Sequence, residues 1–326
     1  MLFIDANDIR KVIDMRRAIE SDREAFVLQA EGKTELSVRT TFDVAGRGLS
    51  SFMPAYVSSY PLAGIKIVST FSGNIEKNLP VVGATMLLLD AETGLVNAIM
   101  DGTELTRMRT GAVAGLATEL LSNEDAEVGA LFGTGGQAVS QLEALLTVRK
   151  LKEVRIFDSF KERITPFIER VSEMAGAFGT RLIAASSSDE AVDQADIVTS
   201  VTTTTTPVFD GSRIKAGAHI NGVGTYVPHK RELDSTIMCR ANRIFIDNTE
   251  AIMAEAGDIL IPIEEGKLKK EDIAGELGDL ILKKVHGRTS KDEITVMKTV
   301  GFATLDIVIA HKVYDLAIEK GIGKHI

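Results

Sequence analysis

A short apolar run, Val128 to Phe132, leads straight into Gly133-Thr134-Gly135-Gly136-Gln137-Ala138, and a helical pattern carrying Leu142, Leu145 and Leu146 follows at once. No other feature of the chain limits its fold so tightly. Strand, glycine turn and helix in this order make the first half of a parallel βαβ unit. The first glycine makes the tight turn, the second lets a pyrophosphate come against the backbone, and the small sixth residue lets the helix pack closely on the strand. The helix amino terminus then offers its N–H groups and positive dipole end to the phosphates. Twenty residues beyond Ala138, after the apolar run Val154 to Phe157, stands Asp158. A carboxylate there accepts ribose hydroxyls and repels a 2′-phosphate, so the pattern predicts NAD(H) in preference to NADP(H).

Two further runs, Leu182 to Ala184 and Ile197 to Val201, continue the alternation of strand and helix. This predicts an α/β domain with a doubly wound parallel sheet of the Rossmann type. A helix is expected over Ser159 to Ala175, with Pro166 kinking it or delaying its start. The run Thr202 to Thr206 before Pro207 is expected as a loop at the carboxyl edge of the sheet.

Upstream the pattern differs. A helix capped by Asp5 or Asn7 carries Ile9, Val12, Ile13, Ile19 and Phe26 and ends at Gly32. Strands are expected at Leu36 to Val44, Leu62 to Ser69, Ala84 to Asp90 and Leu95 to Met100, the last two joined by the turn Asp90-Ala-Glu-Thr-Gly94 as a hairpin. A helix from Thr103 to Leu121 follows, and a last helical pattern (Phe302, Leu305, Ile309, Val313, Leu316, Ala317) comes after the α/β pattern has ended. The 326 residues suit two domains. The reading is an α+β substrate-binding domain made from both chain ends, residues 1-121 plus 302-326, with a Rossmann NAD(P)-binding domain, residues 122-301, inserted in it.

Composition excludes several classes. The net charge of −9, without any Lys/Arg cluster, removes the positive field that nucleic acid requires. Apolar runs such as Met86 to Leu89 are far too short to cross a bilayer, and the first residues turn charged before a signal-peptide core could form. The single Cys239 has no cysteine to pair with, so a cytoplasmic setting is expected. The five histidines and the lone cysteine show no zinc spacing, and neither a GxSxG elbow nor a phosphate-binding GK[ST] loop is present. No metal is therefore expected.

A nicotinamide cofactor needs a hydride partner, and the first domain offers Arg39 on an expected strand, Lys66, and Arg109 early in its helix. Lys66 stands between Ile65 and Ile67-Val68, where a charge is costly unless an anion accompanies it. Three cations together can clamp a carboxylate, each charge-assisted contact contributing about 1.5–3 kcal/mol. His219, before Asn221-Gly-Val-Gly224, reads as a structural residue at a strand end.

Several segments, in order, resemble the ornithine cyclodeaminase/mu-crystallin family: Lys66-Ile-Val-Ser-Thr-Phe, Gly83-Ala-Thr85-Met-Leu-Leu, Asp101-Gly-Thr-Glu-Leu-Thr-Arg-Met-Arg109-Thr110-Gly-Ala, the Gly133 turn, Asn221-Gly-Val-Gly-Thr-Tyr226-Val-Pro228 with Arg231-Glu-Leu-Asp234, and Lys298-Thr-Val-Gly301. The resemblance implies a homodimer in which the domain of both termini also dimerises. It places substrate-carboxylate ligands on Arg39, Lys66 and Arg109, and cofactor contacts on Thr85, Thr110, the Gly133 to Ala138 turn, Asp158, Val223 and Thr299. Ser51, Met53 and Tyr226 would line the substrate pocket. Two positions depart from the cyclodeaminase pattern, which has carboxylates where this chain has Ser51 and Tyr226. Ornithine's second ammonium wants an anion and ring closure wants a base, so their loss favours NAD(P)H-dependent reduction of a small α-imino or α-keto acid, of the pyrroline-2-carboxylate or alanine dehydrogenase kind. The alternatives are ornithine cyclodeamination with catalytic NAD and cofactor-dependent ligand binding without turnover, as in the crystallin branch.

Overall fold

The computed structural model describes residues 1–326 apart from Val38, Pro61 and Asn78 and the side chains of Leu62 and Ile75. The chain divides into two compact units, Met1–Arg109 with Phe302–Ile326, and Thr110–Gly301. The division falls inside a helix that the sequence reading gave whole to the first unit.

In chain order the first unit holds β1 (Leu2–Ile4), α1 (Ala6–Val12), α2 (Met15–Ala30), β2 (Thr34–Leu36), β3 (Thr40–Asp43) and β4 (Leu49–Val57). β5 (Leu62–Thr70), β6 (Val82–Asp90) and β7 (Val96–Asp101) follow, and α3 (Gly102–Leu121) runs on into the second unit. That unit continues with β8 (Val128–Phe132), α4 (Ala138–Val148), β9 (Glu153–Phe157), α5 (Ile164–Ala177), β10 (Arg181–Ala184), α6 (Ser188–Val192) and β11 (Ile197–Ser200). β12 (His219–Gly222), α7 (Ser235–Arg240), β13 (Arg243–Ile246), α8 (Thr249–Glu255), α9 (Gly257–Glu264), β14 (Ile273–Glu276), α10 (Leu277–Ile281) and β15 (Thr295–Lys298) complete it. α11 (Ala303–Lys320) and β16 (Lys324–His325) return to the first unit.

Among the described residues of the first unit, eight strands form one mixed sheet in the order β16-β1-β7-β6-β5-β4-β2, with β3 also pairing β4. β1 runs parallel to β7 and antiparallel to β16, which brings Leu2 opposite His325 and sets the two chain ends side by side. The expected hairpin is β6–β7; Asp90 accepts hydrogen bonds from the N–H groups of Glu92 and Thr93, both 2.9 Å, and Gly94 takes φ 72°. Other expectations need correction. The single amino-terminal helix is two helices, because Asp14 accepts from the Arg17 N–H at 2.8 Å and starts a new helix after extended Ile13. The strand expected over Leu36 to Val44 is split into β2 and β3, and Val38 within it lies outside the described residues. β4 was unexpected because Pro54 lies inside it and has no N–H for the ladder.

Side chains alternate between the faces of this sheet. Met53, Lys66, Met86 and Met100 are successive cross-strand partners on β4, β5, β6 and β7, and all four are buried. α11 packs against β4, β5 and β6 and against α2, where the Phe302 and Phe26 rings meet edge to face at 5.5 Å. Such a pair adds roughly 0.5–1.5 kcal/mol beyond its buried area.

Among the described residues the second unit is an eight-stranded, wholly parallel sheet in the order β10-β9-β8-β11-β12-β15-β13-β14. β8 shows why its sequence is an unbroken apolar run. Ala130 and Phe132 join a core with Ile237 of α7 and Ile259 of α9, whereas Leu131 joins the opposite core with Leu142 and Leu145 of α4 and Phe167 of α5. Both faces are covered, so no polar alternation remains. Pro166 falls in the first turn of α5, whose start is delayed to Ile164. β13, β14 and β15 were not anticipated. Each has four residues, as β10 and β11 do, but those two continue the alternation begun at β8 and these do not.

His219 opens β12, fully buried, with Nδ1 2.9 Å from the Thr295 hydroxyl and Nε2 3.0 Å from Asn221 Oδ1. Burial, reinforced by the Arg288 and Arg149 charges, holds its pKa at about 3 against the opposing hydrogen bond from Asn221. The unfolded chain takes up this proton near pH 6.5 and the folded chain does not, so stability falls as pH drops through that window. The loss expected from this group reaches about 4 kcal/mol by pH 3. Urea unfolding of wild type and His219→Gln between pH 7 and 4.5 checks it, the wild type losing stability more steeply. Among the described residues no helix is long and apolar enough to cross a membrane.

Candidate functional site

In a parallel sheet every strand delivers its carboxyl end to the same edge, and the sequence-predicted residues of the second unit gather there. The Gly133 turn follows β8, Asp158 follows β9, Val223 and Tyr226 follow β12, and Thr299 follows β15. The strand order reverses direction between β8 and β11, and such a switch point is where an open α/β sheet leaves a ligand crevice. Gly133 sits at it. Its φ is 99°, its N–H donates to Phe157 O at 2.8 Å, and an added Cβ would lie 2.8 Å from Val201 O. A Cβ on Gly135, by contrast, would meet nothing within 4 Å, so that backbone faces open space. No side chain caps α4 after Gln137. Open backbone above an uncapped helix start fits a pyrophosphate.

Asp158 is already engaged with the turn. Its Oδ2 accepts from the Thr134 N–H (2.9 Å) and hydroxyl (2.7 Å), and its Oδ1 accepts from the Phe160 N–H (2.9 Å). Oδ1 retains room for a ribose hydroxyl. At Thr110 the neighbouring Gly111 explains the helix contact: a Cβ there would lie 2.5 Å from Ser140 O, so α3 and α4 touch backbone to backbone.

The loops of this edge are pinned by buried acids that sequence reasoning missed. Glu232 accepts from the N–H and hydroxyl of Thr202 and from the N–H groups of Gly224 (2.6 Å) and Thr225 (3.2 Å). Asp258 Oδ1 accepts from the Glu232 and Leu233 N–H groups at 2.7 and 2.9 Å, while its Oδ2 meets Lys298 Nζ at 2.7 Å as an ion pair. Lys298 also donates to Thr225 O at 2.6 Å. Asp247 Oδ2 takes the Thr299 hydroxyl at 2.6 Å and the N–H groups of Val300 and Gly301 at 2.8 and 2.7 Å. Val223 is buried beside this network, and Tyr226 is 44% exposed.

In the first unit the structure brings Lys66 and Arg109 together and supplies the anion that Lys66 demands. Lys66 Nζ lies 2.6 Å from Asp306 Oδ2, and Arg109 Nε lies 3.0 Å from Asp306 Oδ1. Lys66 is 2% exposed, Asp306 1% and Arg109 6%, so this is an ion triad out of water. Arg39, half-buried, is near enough for its charge to act on Lys66. It stands between β2 and β3 and not on a strand, because the expected strand is broken there. Burial lowers the Lys66 pKa to about 7 while Asp306 pulls it upward, and Arg109 and Arg39 push it further down. Burial would lift the Asp306 carboxyl, but Lys66 and Arg109 outweigh it and hold it below the usual carboxylate range.

Met53 lies directly across from Lys66, and Ser51, two residues earlier on β4, shares that face and meets the Thr41 hydroxyl at 2.8 Å. Thr85 pairs with Ile67, one step from Lys66, and so lies on the opposite face of the sheet. Asp306 escaped the sequence reading, although the signal existed: it is a charge inside the apolar run Leu305 to Ala310, the same anomaly that marked Lys66. Among the described residues no three His, Cys, Asp or Glu side chains gather as a metal ion would require.

A glycine turn at a bare helix start, on the switch point of a parallel sheet, defines a dinucleotide-binding protein of the Rossmann class. The chain belongs to the ornithine cyclodeaminase/mu-crystallin family, which matches residues 1–321. It is 33% identical, over all of its length and 99% of the relative, to a Delta(1)-pyrroline-2-carboxylate reductase of Bacillus cereus. The structure of the Thermococcus litoralis Delta(1)-pyrroline-2-carboxylate reductase in complex with NADH and L-proline superposes with a TM-score of 0.95 at 35% identity, covering both chains fully. An archaeal alanine dehydrogenase dimer with bound NAD gives a TM-score of 0.92 at 31% identity, covering this chain fully and 98% of that one.

Proposed function

We propose that this protein is an NAD(P)H-dependent oxidoreductase that reduces a small α-imino or α-keto acid, with Arg39, Lys66 and Arg109 holding the substrate carboxylate. The gathering of Lys66 and Arg109 around buried Asp306, with Arg39 near enough to act on Lys66, carries the reading. Asp306 takes one lysine proton and the arginine Nε, and among the described residues no hydrogen bond engages the two Nη atoms of Arg109. The guanidinium fork and the remaining ammonium protons are thus left to an incoming anion, which a fork matches in two-point geometry. When bound, the nicotinamide supplies the hydride for the C=N carbon. The chain's part is to fix the α-carbon by its carboxylate and to reserve the site for an already protonated imine, so positioning does most of the work.

Ser51 is a neutral hydroxyl bonded to Thr41, and Tyr226 is a phenol, so neither supplies the anion or base that a diamino acid wants. The test is a panel: NADH with pyrroline-2-carboxylate, with piperideine-2-carboxylate and with pyruvate plus ammonia, and ornithine with NAD⁺, following absorbance and ammonia together. NADH consumption with a cyclic imine or with pyruvate plus ammonia supports the reading. Steady ammonia release from ornithine without net NADH change would overturn it.

Of the two nicotinamide cofactors NAD(H) is the one the protein prefers, on the strength of Asp158 at the end of β9. Asp158→Ala should lower the ratio of kcat/KM for NADH over NADPH by about 10-fold, equivalent to about 1.4 kcal/mol; steady-state kinetics with both cofactors measure it, and an unchanged ratio would remove Asp158 from ribose recognition. The protein works as a homodimer in the cytoplasm. The first unit carries exposed apolar side chains on its strands, Phe42, Leu49, Val82 and Val96 among them, which suits a second copy. Light scattering should return twice the mass of 35.1 kDa.

A further inference from the structure

Asp306 is placed to govern both cations from behind. It projects from the first turn of α11, whereas Lys66 is central on β5 and Arg109 lies on α3, so one carboxylate fixes side chains from two other elements. Burying two cations and an anion is expensive, and a site of this kind persists only where the geometry closes well. Among the described residues the charged groups that act on Lys66 are Asp306 from α11, Arg109 from α3 and Arg39 from the β2–β3 connection, with Met53 and Met86 flanking it on the sheet. Asp22 of α2 faces Arg109 and Asp306, and neither of its carboxyl oxygens has a hydrogen-bond partner. Burial lifts its pKa well above the ordinary range, Arg109 opposing and Asp306 adding, which disfavours a second negative charge here. Two cations, Lys66 and Arg109, face the single carboxylate of Asp306, an arrangement suited to a further carboxylate.

We infer that Asp306 is the positioning residue of this clamp: it aims the Lys66 ammonium and the Arg109 guanidinium at the substrate carboxylate and provides the counter-charge that favours the protonated form of Lys66. This rests on the reading of Lys66 and Arg109 as carboxylate ligands. Among the described residues the Asp306 carboxylate hydrogen-bonds to these two cations. Its negative charge favours the protonated lysine, so replacing it with a neutral amide of the same shape moves the loss of the lysine proton to lower pH.

The experiment measures the dissociation constant of pyrrole-2-carboxylate, a planar anion that is not reduced, for the NADH-loaded protein from pH 5.5 to 9. For wild type the affinity should fall as pH rises through about 7, where Lys66 loses its proton. For Asp306→Asn the fall should begin at least about one unit lower, giving roughly 10-fold weaker binding at pH 8 and a smaller difference at pH 5.5. A midpoint coincident with wild type would overturn the inference. Asp306→Glu retains the charge and decides the matter if the amide variant does not fold: its midpoint should stay with wild type while binding weakens several-fold at every pH, and a midpoint displaced downward would also overturn the inference. Lys66→Ala is the separate control for the underlying reading. If it binds pyrrole-2-carboxylate as wild type does, the clamp itself is wrong; if it loses binding while Asp306→Asn keeps the wild-type midpoint, only the role of Asp306 fails.

Discussion

Lys66→Ala is expected to lower kcat/KM for the imine by about 100-fold or more, with KM raised and kcat lowered. A single charge-assisted contact contributes about 1.5–3 kcal/mol, which spans roughly 10- to 150-fold. The upper part of that range applies because Asp306 would then be balanced by Arg109 alone and would turn its charge toward the incoming carboxylate. A rise in KM reports the lost carboxylate contact, and a fall in kcat reports the lost positioning of the α-carbon. Lys66→Met separates this from damage to the fold. Its side chain completes a row with Met53, Met86 and Met100 and leaves no cavity, whereas alanine would leave one, although either change takes one cation from buried Asp306 and so costs stability. The methionine variant should therefore unfold in urea below the wild-type midpoint but above the alanine variant, and show the same kinetic defect. Near-normal kcat/KM in either variant would remove Lys66 from the site.

Gly224→Ala should cost about 3 kcal/mol of stability and weaken NADH binding at least about 10-fold. An alanine Cβ at this position would lie 2.2 Å from Thr202 O, 2.5 Å from Thr202 N and 2.7 Å from Glu232 Oε1. Two of these are backbone atoms, and the third belongs to the side chain that fixes both loops, so nothing nearby can yield cheaply. Overpacking of this kind typically costs 1–3 kcal/mol. The displaced segment carries Val223, whose N–H donates to Ser200 O at 2.9 Å, and so the defect reaches the proposed cofactor edge. Urea unfolding and NADH fluorescence titration give the two readings. Wild-type stability would show that the approach of these loops is looser than described.

The parallel sheet was legible where its strands continue the alternation that starts at β8, so that even the four-residue β10 and β11 could be read. β8 and its glycine turn are specified by local rules, because a tight turn, an open backbone and a close helix each demand a small residue at a fixed place. β13, β14 and β15 are equally short but come after that alternation has broken down, and only their pairing with distant parts of the chain defines them. β4 was hidden by Pro54, and β1 by its three residues, which matter only because the other chain end pairs with them. The candidate site shows the same division. Lys66 declared itself by standing charged among apolar neighbours, a position that needs an anion which no nearby residue in the sequence supplies. Asp306 is 240 positions away, and only the return of α11 onto β5 reveals it. Thr85 shows the converse: the family pattern assigns it a cofactor contact, yet the register sets it on the sheet face opposite Lys66.

If a hydride passes to the α-carbon of a substrate held by its carboxylate, turnover of pyrroline-2-carboxylate with NADH carrying deuterium at both C4 positions, followed by mass spectrometry, will show it. The expected product is proline one mass unit heavier, with the deuterium at the α-carbon and one NADH consumed per proline. Proline without label, or no product while ornithine and NAD⁺ release ammonia, would contradict it.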